Sequence, residues 1–356
     1  MGVVGNGAHS IITRTYCQET FPPPESSGTV DTGTGVPEKH TAERRPMKPV
    51  VLDCPAGTGH TNGPGHPESP DRQKVLETLF GDMAQQDEIA FQSIAPSGTI
   101  DFYEGPHTPS YLRLLSENTS DPDCPSRLDP DTGMSRASLP ALRATAAALS
   151  KLVSAYRNGE GRFFVSERPP GHHALPDRAM GFCLVNHIAT LAWRIRSTDP
   201  DARIAIFDFD VHHGNGTEAM VRDIPGTLFI STHQYPFYPG SGSGRENRSG
   251  PSGEGILDIP LPEATGDKKY LEIFYQTVVP RIERFKPTAL LVSAGFDAHK
   301  DDLLGGLALT EETYSAIGQT LARMGPAFIA SVLEGGYNLT ALVRSVEAYL
   351  RGQATA

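Results

Sequence analysis

The chain has 356 residues, 38% hydrophobic and 21% charged, enough to bury one large α/β core or two smaller ones. Its formal charge of -11 keeps it in solution, repels phosphate backbones and so disfavours direct nucleic-acid binding, while tolerating basic partners such as lysine-rich tails or polyamines. No apolar run reaches the ~18 residues of a membrane span, and Cys17, Cys54, Cys124 and Cys183 show no CxxC pairing, which favours a reducing, cytoplasmic setting over a disulfide scaffold.

Residues 1–48 read as a flexible tail. They carry Pro22-Pro23-Pro24, Ser26-Ser27-Gly28 and Thr32-Gly33-Thr34-Gly35, with five basic and five acidic residues that cancel. The first 18 residues lack acids and include Arg14, as in an organelle-targeting segment, but arginines are few. Asn6 stands where a myristoylation signal needs Ser or Thr.

Residues 49–352 read as one domain. Short runs rich in β-branched and aromatic residues recur at Phe163–Val165, Ile204–Phe209, Thr227–Ser231, Ala289–Val292 and Phe328–Leu333. Between them lie stretches of helical period. Leu142, Ala146, Leu149, Val153 and Tyr156 share one face, and Leu271, Phe274, Val278, Ile282 and Phe285 another. This alternation predicts an α/β fold with a parallel sheet flanked by helices on both faces. Chemistry in such sheets gathers at the carboxyl ends of the strands.

Polar motifs occupy those ends. After Phe163–Ser166 comes Pro169-Pro170-Gly171-His172-His173-Ala174, where two imidazoles can exchange protons near neutral pH. The run Ile204–Phe209 leads into Asp210-Val211-His212-His213-Gly214. Strand alternation would point Asp208, Asp210 and His212 one way and Phe207, Phe209 and Val211 into packing. Two carboxylates and an imidazole on one face are costly without a cation or partners. Asp297 closes the next run, Leu290–Val292 with Ser293-Ala294-Gly295-Phe296. Asp210, His212 and Asp297 can thus supply the three ligands of a catalytic zinc; the other reading is that the aspartates cap the helices that follow. Gly335-Gly336-Tyr337 follows Phe328–Leu333 and sets a tyrosine hydroxyl where it could bond an oxyanion, or simply beside a turn.

Taken together, the set resembles the histone deacetylase family of the arginase–deacetylase superfamily. The resemblance rests on Arg168-Pro-Pro-Gly-His-His-Ala174, Gly181-Phe182-Cys183, Asp208-Phe-Asp-Val-His-His-Gly-Asn-Gly-Thr217, Ser293-Ala-Gly-Phe-Asp-Ala298 and Glu334-Gly-Gly-Tyr337, in that order. It spans about residues 50 to 350 and looks most like the class II branch and its bacterial and acetylpolyamine-hydrolysing relatives. It implies one Zn2+ on Asp210, His212 and Asp297, His173 as general base and acid, His172 as its electrostatic partner, and Tyr337 as the transition-state hydroxyl. It implies that Asp208 orients His172 and Asn215 orients His173, and that Arg72 packs behind the Gly335-Gly336 turn. Gly181, Phe182 and Leu304 match the substrate channel, to which Gly335 and Gly336 also belong. Its second aromatic is Tyr238 or, one residue earlier, Phe237. A structural K+ is implied near Asp208, Asp210, His212, Ser231 and Thr232.

The expected activity is removal of an acetyl or other acyl group from lysine side chains of proteins or peptides, or from an acetylated polyamine or small amine. A two-manganese arginase-like hydrolase is opposed by the Gly-Gly-Tyr string, and an acyl-lysine-binding scaffold by the complete set of reactive residues. The rim loops at 104–131 and 240–255 would set specificity, and the Gly- and Ser-rich stretch after Ser241 reads as mobile.

Overall fold

The computed structural model describes residues 47–159, 161–324 and 326–355; most of the tail expected over 1–48 therefore lies outside the described residues. The strands are β1 (Val50–Asp53), β2 (Ala90–Ser93), β3 (Ser126–Asp129), β4 (Thr132–Met134), β5 (Gly161–Ser166), β6 (Ile204–Asp208), β7 (Thr227–Gln234), β8 (Arg248–Ser249), β9 (Gly255–Leu261), β10 (Ala289–Ala294) and β11 (Phe328–Leu333). Nine of them form one sheet in the order β2-β1-β5-β11-β10-β6-β7-β9-β8. Every pairing in it is parallel except that of β8 with β9. β3 and β4 make a separate antiparallel hairpin.

The helices are α1 (Pro70–Gln85), α2 (Pro109–Ser116), α3 (Ser138–Asn158), α4 (His187–Thr198), α5 (Asn215–Val221), α6 (Asp267–Ile273), α7 (Val279–Phe285), α8 (Glu311–Met324) and α9 (Leu339–Ala354). They cover both faces of the sheet, because strand side chains alternate. Ala205, Phe207, Leu290 and Val292 pack with residues of α1, α7, α8 and α9 in one core. Ile204, Ile206, Leu291 and Ala330 pack with α2, α3, α4 and α5 in the other. The predicted face Leu271–Phe285 runs through α6, a π-turn over Phe274–Val278 and α7; Phe274, Val278, Ile282 and Phe285 are buried.

One expectation needs correction. The strand carrying Asp208 stops there, so Asp210 and His212 are not strand residues. Side-chain turns continue their common orientation: Asp208 Oδ1 accepts from Asp210 N at 3.1 Å, and Asp210 Oδ1 from His212 N at 2.9 Å. Phe207, Phe209 and Val211 do pack in the core.

Candidate active site

Four neighbouring strands, β5, β11, β10 and β6, deliver the polar motifs to one edge of the sheet. Each motif begins where an apolar strand ends, so folding the core brings the reactive side chains together.

At the centre, His212 Nδ1 lies 3.0 Å from Asp210 Oδ1 and 3.1 Å from Asp297 Oδ2. All three ligand atoms lie within 4.8 Å of one another. The remaining oxygens are fixed by backbone. Val211 N donates to Asp297 Oδ1 at 2.9 Å and Gly335 N to Asp210 Oδ2 at 2.8 Å. Gly295 and Gly335 make the room, since a Cβ on either would overlap these carboxylates. Burial, and then Asp210, pushes the Asp297 carboxyl up to about 7. Burial opposes a charge on His212, but bonds to Asp210 and Asp297 outweigh it and push the imidazole up to about 10. Burial resists ionising Asp210, but His172 and His212 hold its carboxyl well below the usual range, and a buried carboxylate pair of this kind calls for positive charge. Two carboxylates and an imidazole nitrogen are a donor set for a divalent ion such as zinc, and these residues fit one.

The histidine pair stands beside this centre, with ring centroids 4.0 Å apart. His172 Nδ1 meets Asp208 Oδ2 at 3.1 Å. His173 Nδ1 meets Asn215 Oδ1 at 2.8 Å. Burial works against a proton on His172, but Asp210, Asp208 and Glu334 overcome it and raise its pKa well above the usual value. Burial, then the positive fields of His172 and His212, drives His173 well below it. The two adjacent imidazoles are therefore shifted in opposite directions. Gly181, at φ +56°, permits the approach of the His173 ring, because a Cβ there would overlap it.

Aromatic residues wall the approach. Phe182 lies 5.7 Å from Tyr337, edge to face. The structure keeps both candidates for the second aromatic: Phe237 stacks on His212 at 5.4 Å and Tyr238 sets its edge against His173 at 5.1 Å. Tyr337 is held by its backbone, whose N–H donates to Asp302 Oδ2 at 2.7 Å. Asn338 then caps α9, accepting from Thr340 N and Ala341 N. Leu304 sits on the same loop as Asp302, whose Oδ1 accepts its N–H at 3.0 Å. Ser231 pairs in register with Asp208. Thr232 Oγ1 bonds Tyr270 at 2.7 Å and lies 3.5 Å from the Asp208 carbonyl.

Sequence reading missed several supports. Glu334 accepts from Gly171 N at 2.6 Å and His172 N at 3.0 Å, fixing the turn into the histidine pair. It closes an apolar strand as Asp208 does, and that signal was available. Asn186 caps α4 and donates toward the carbonyls of His172 and Ala174. Arg72 reaches the Gly335-Gly336 turn: its Nε donates to Gly336 O at 2.7 Å, its Nη2 to Glu334 O at 2.5 Å, and its guanidinium lies 5.1 Å from the Tyr337 ring centre. Its Nη1 and the Nε of Arg168 both donate to Glu68 Oε1. All three side chains are fully buried. Burial resists ionising Glu68, but Arg168, His60 and Arg72 hold its carboxyl well below the usual range.

The histone deacetylase domain model matches residues 66–353. Histone deacetylase 14, chloroplastic, of Arabidopsis thaliana is 41% identical over 216 residues, which is 59% of this chain and 51% of that protein, so the chain spans about half the length of this relative. Among solved structures, the HDA15 HD domain superposes with a TM-score of 0.77 at 28% identity, covering 87% of this chain and 88% of that one. An acetylpolyamine aminohydrolase from Burkholderia pseudomallei gives 0.71 at 25%, covering 85% and 98%. With its sheet, its site and these likenesses in agreement, the chain belongs to the histone deacetylase family.

Proposed function

We propose that the protein is a zinc-dependent deacetylase that hydrolyses the amide of an acylated lysine or a related acylated amine. One observation carries this reading: the Asp210–His212–Asp297 cluster, the His172–His173 pair and Tyr337 share a single buried edge. A zinc ion held by those three residues would polarise the amide and acidify the attacking water. Asn215 Oδ1 accepts from His173 Nδ1, which leaves Nε2 as the bare nitrogen. His173 Nε2 then takes the water proton and returns it to the departing amine. His172, tethered to Asp208, favours the neutral form of His173 through its positive field. The Tyr337 hydroxyl donates to the oxyanion. Phe182 and Tyr238 flank the stem of the substrate. A potassium ion near Asp208, Asp210, His212, Ser231 and Thr232 belongs to the same proposal and rests on the family resemblance.

Substrate choice has a second reading, an acetylated polyamine. Asp131 and Asp129 act on the Tyr238 phenol, whose pKa is raised by burial first, then by Asp131, Cys183 and Asp129, with Arg178 opposing them. Carboxylates near this aromatic favour a substrate with further positive charge. The test is acetate release by the zinc-loaded full chain from acetyl-lysine peptides and from N-acetylated polyamines, before and after chelation. Turnover lost on chelation and restored by zinc is expected. A chain that binds zinc yet releases acetate from neither class would overturn the proposal.

A further inference from the structure

We propose that His213, Glu218 and Asp258 form a second divalent-cation site, separate from the catalytic cluster. The three residues come from different elements: the loop after β6, helix α5 and strand β9. They are 1%, 5% and 3% exposed. His213 Nε2 lies 3.0 Å from Glu218 Oε2 and 3.2 Å from Asp258 Oδ1, and the three ligand atoms lie within 4.8 Å of one another. These distances repeat the 3.0 and 3.1 Å around His212. Two adjacent histidines thus each face a pair of buried carboxylates with one ring nitrogen.

Hydrogen bonding leaves this nitrogen unexplained. On the other side of the ring, His213 Nδ1 bonds Ser241 Oγ at 2.9 Å. A hydroxyl that accepts there fixes the tautomer with Nδ1–H and points the bare Nε2 lone pair at two anions. His213 Nε2 and Asp258 Oδ1 are both fully buried and have no hydrogen-bond partner despite their proximity. A single N–H points along one line and cannot serve two oxygens well. A cation between the three donors serves all of them at once. The other Glu218 oxygen is already engaged, since Arg222 pairs with Oε1 and is itself shared with Glu246. Oε2 is left for the ion. One imidazole and two carboxylates suit zinc, manganese or cobalt.

Such an ion would tie α5, β9 and Ser241 together. It would anchor the start of the 240–255 rim loop next to His212, through the bond of Ser241 to His213.

The test counts ions in the full-length protein, stripped with a chelator, loaded with zinc, freed of excess and measured by elemental analysis. Two ions per chain are expected, falling to one in Asp258→Asn and to one in His212→Ala. Glu218→Gln repeats the measurement with a second ligand, should circular dichroism show Asp258→Asn unfolded. Cobalt loading supplies an independent readout: half of the ligand-field absorption should vanish in either carboxylate variant. Unchanged stoichiometry in both folded variants, or a wild-type protein whose single ion is lost in His212→Ala, would overturn the site. His213 would then be an imidazolium shared by two carboxylates. Failure of the catalytic reading has a different signature, an ion count that His212→Ala leaves unchanged.

Discussion

Gly335 sits where backbone meets the Asp210–His212–Asp297 cluster, so adding one methyl group there tests the proposed geometry. A Cβ at this position would overlap Asp297 Oδ2 and lie 2.6 Å from its Cγ and 2.7 Å from Asp210 Oδ2. Ordinary contact begins near 3.4 Å, so both carboxylates must move by the better part of an ångström or more. Metal–ligand distances tolerate about 0.2 Å. The strain itself is that of an overpacked core, about 1–3 kcal/mol, which a domain of this size survives. Gly335→Ala is therefore expected to fold, to lose the catalytic zinc and to lose turnover with it. Elemental analysis reads the metal, and circular dichroism with urea denaturation reads the fold. A folded Gly335→Ala protein that keeps its full complement of zinc would refute the assignment of Asp210 and Asp297 as ligands in this arrangement.

Tyr337→Phe removes only a hydroxyl and should lower kcat by about 10²–10³ while zinc content stays unchanged; full activity in that variant would remove Tyr337 from the chemistry. A further expectation concerns acid. His107 Nε2 accepts from Asn186 N at 2.7 Å, and burial lowers its pKa to about 4. The unfolded chain takes up this proton near pH 6.5, so the stabilisation is complete above that pH and is lost as pH falls toward about 4. The loss amounts to ~3 kcal/mol. His107→Gln keeps an acceptor without the titration, so urea midpoints measured between pH 7 and pH 4 should decline less steeply than in the wild type. Identical slopes would show that His107 does not drive the acid loss.

Much of this architecture can be read from the chain, for identifiable reasons. Phe328–Leu333 is apolar except for Ser331, and the predicted run coincides with β11. β1, β2 and β9 escaped the pattern. β1 has four residues, all four residues of β2 are exposed, and β9 carries Asp258 and Pro260. Asp210, His212 and Asp297 were visible because each follows an apolar strand closely. Asp302, Asn186 and Glu68 were not, since they lie in loops or caps and bond Tyr337, His172 and Arg168, which are distant in sequence. No period in the chain links Glu68 to Arg168 or Arg72 to Gly336. Whether Phe237 or Tyr238 lines the channel is a one-residue matter that no alternation rule decides in a turn; in the fold Phe237 stacks on His212 and Tyr238 meets His173.

The cluster of Glu68, Arg72 and Arg168 bears on how the enzyme comes into being. Arg72 holds the carbonyls of Glu334 and Gly336 across more than 260 positions of chain. A ribosome would have to release nearly the whole polypeptide before the tyrosine could find its seat. A chain cut short ahead of β11 could keep every histidine and aspartate of the centre and still be inert.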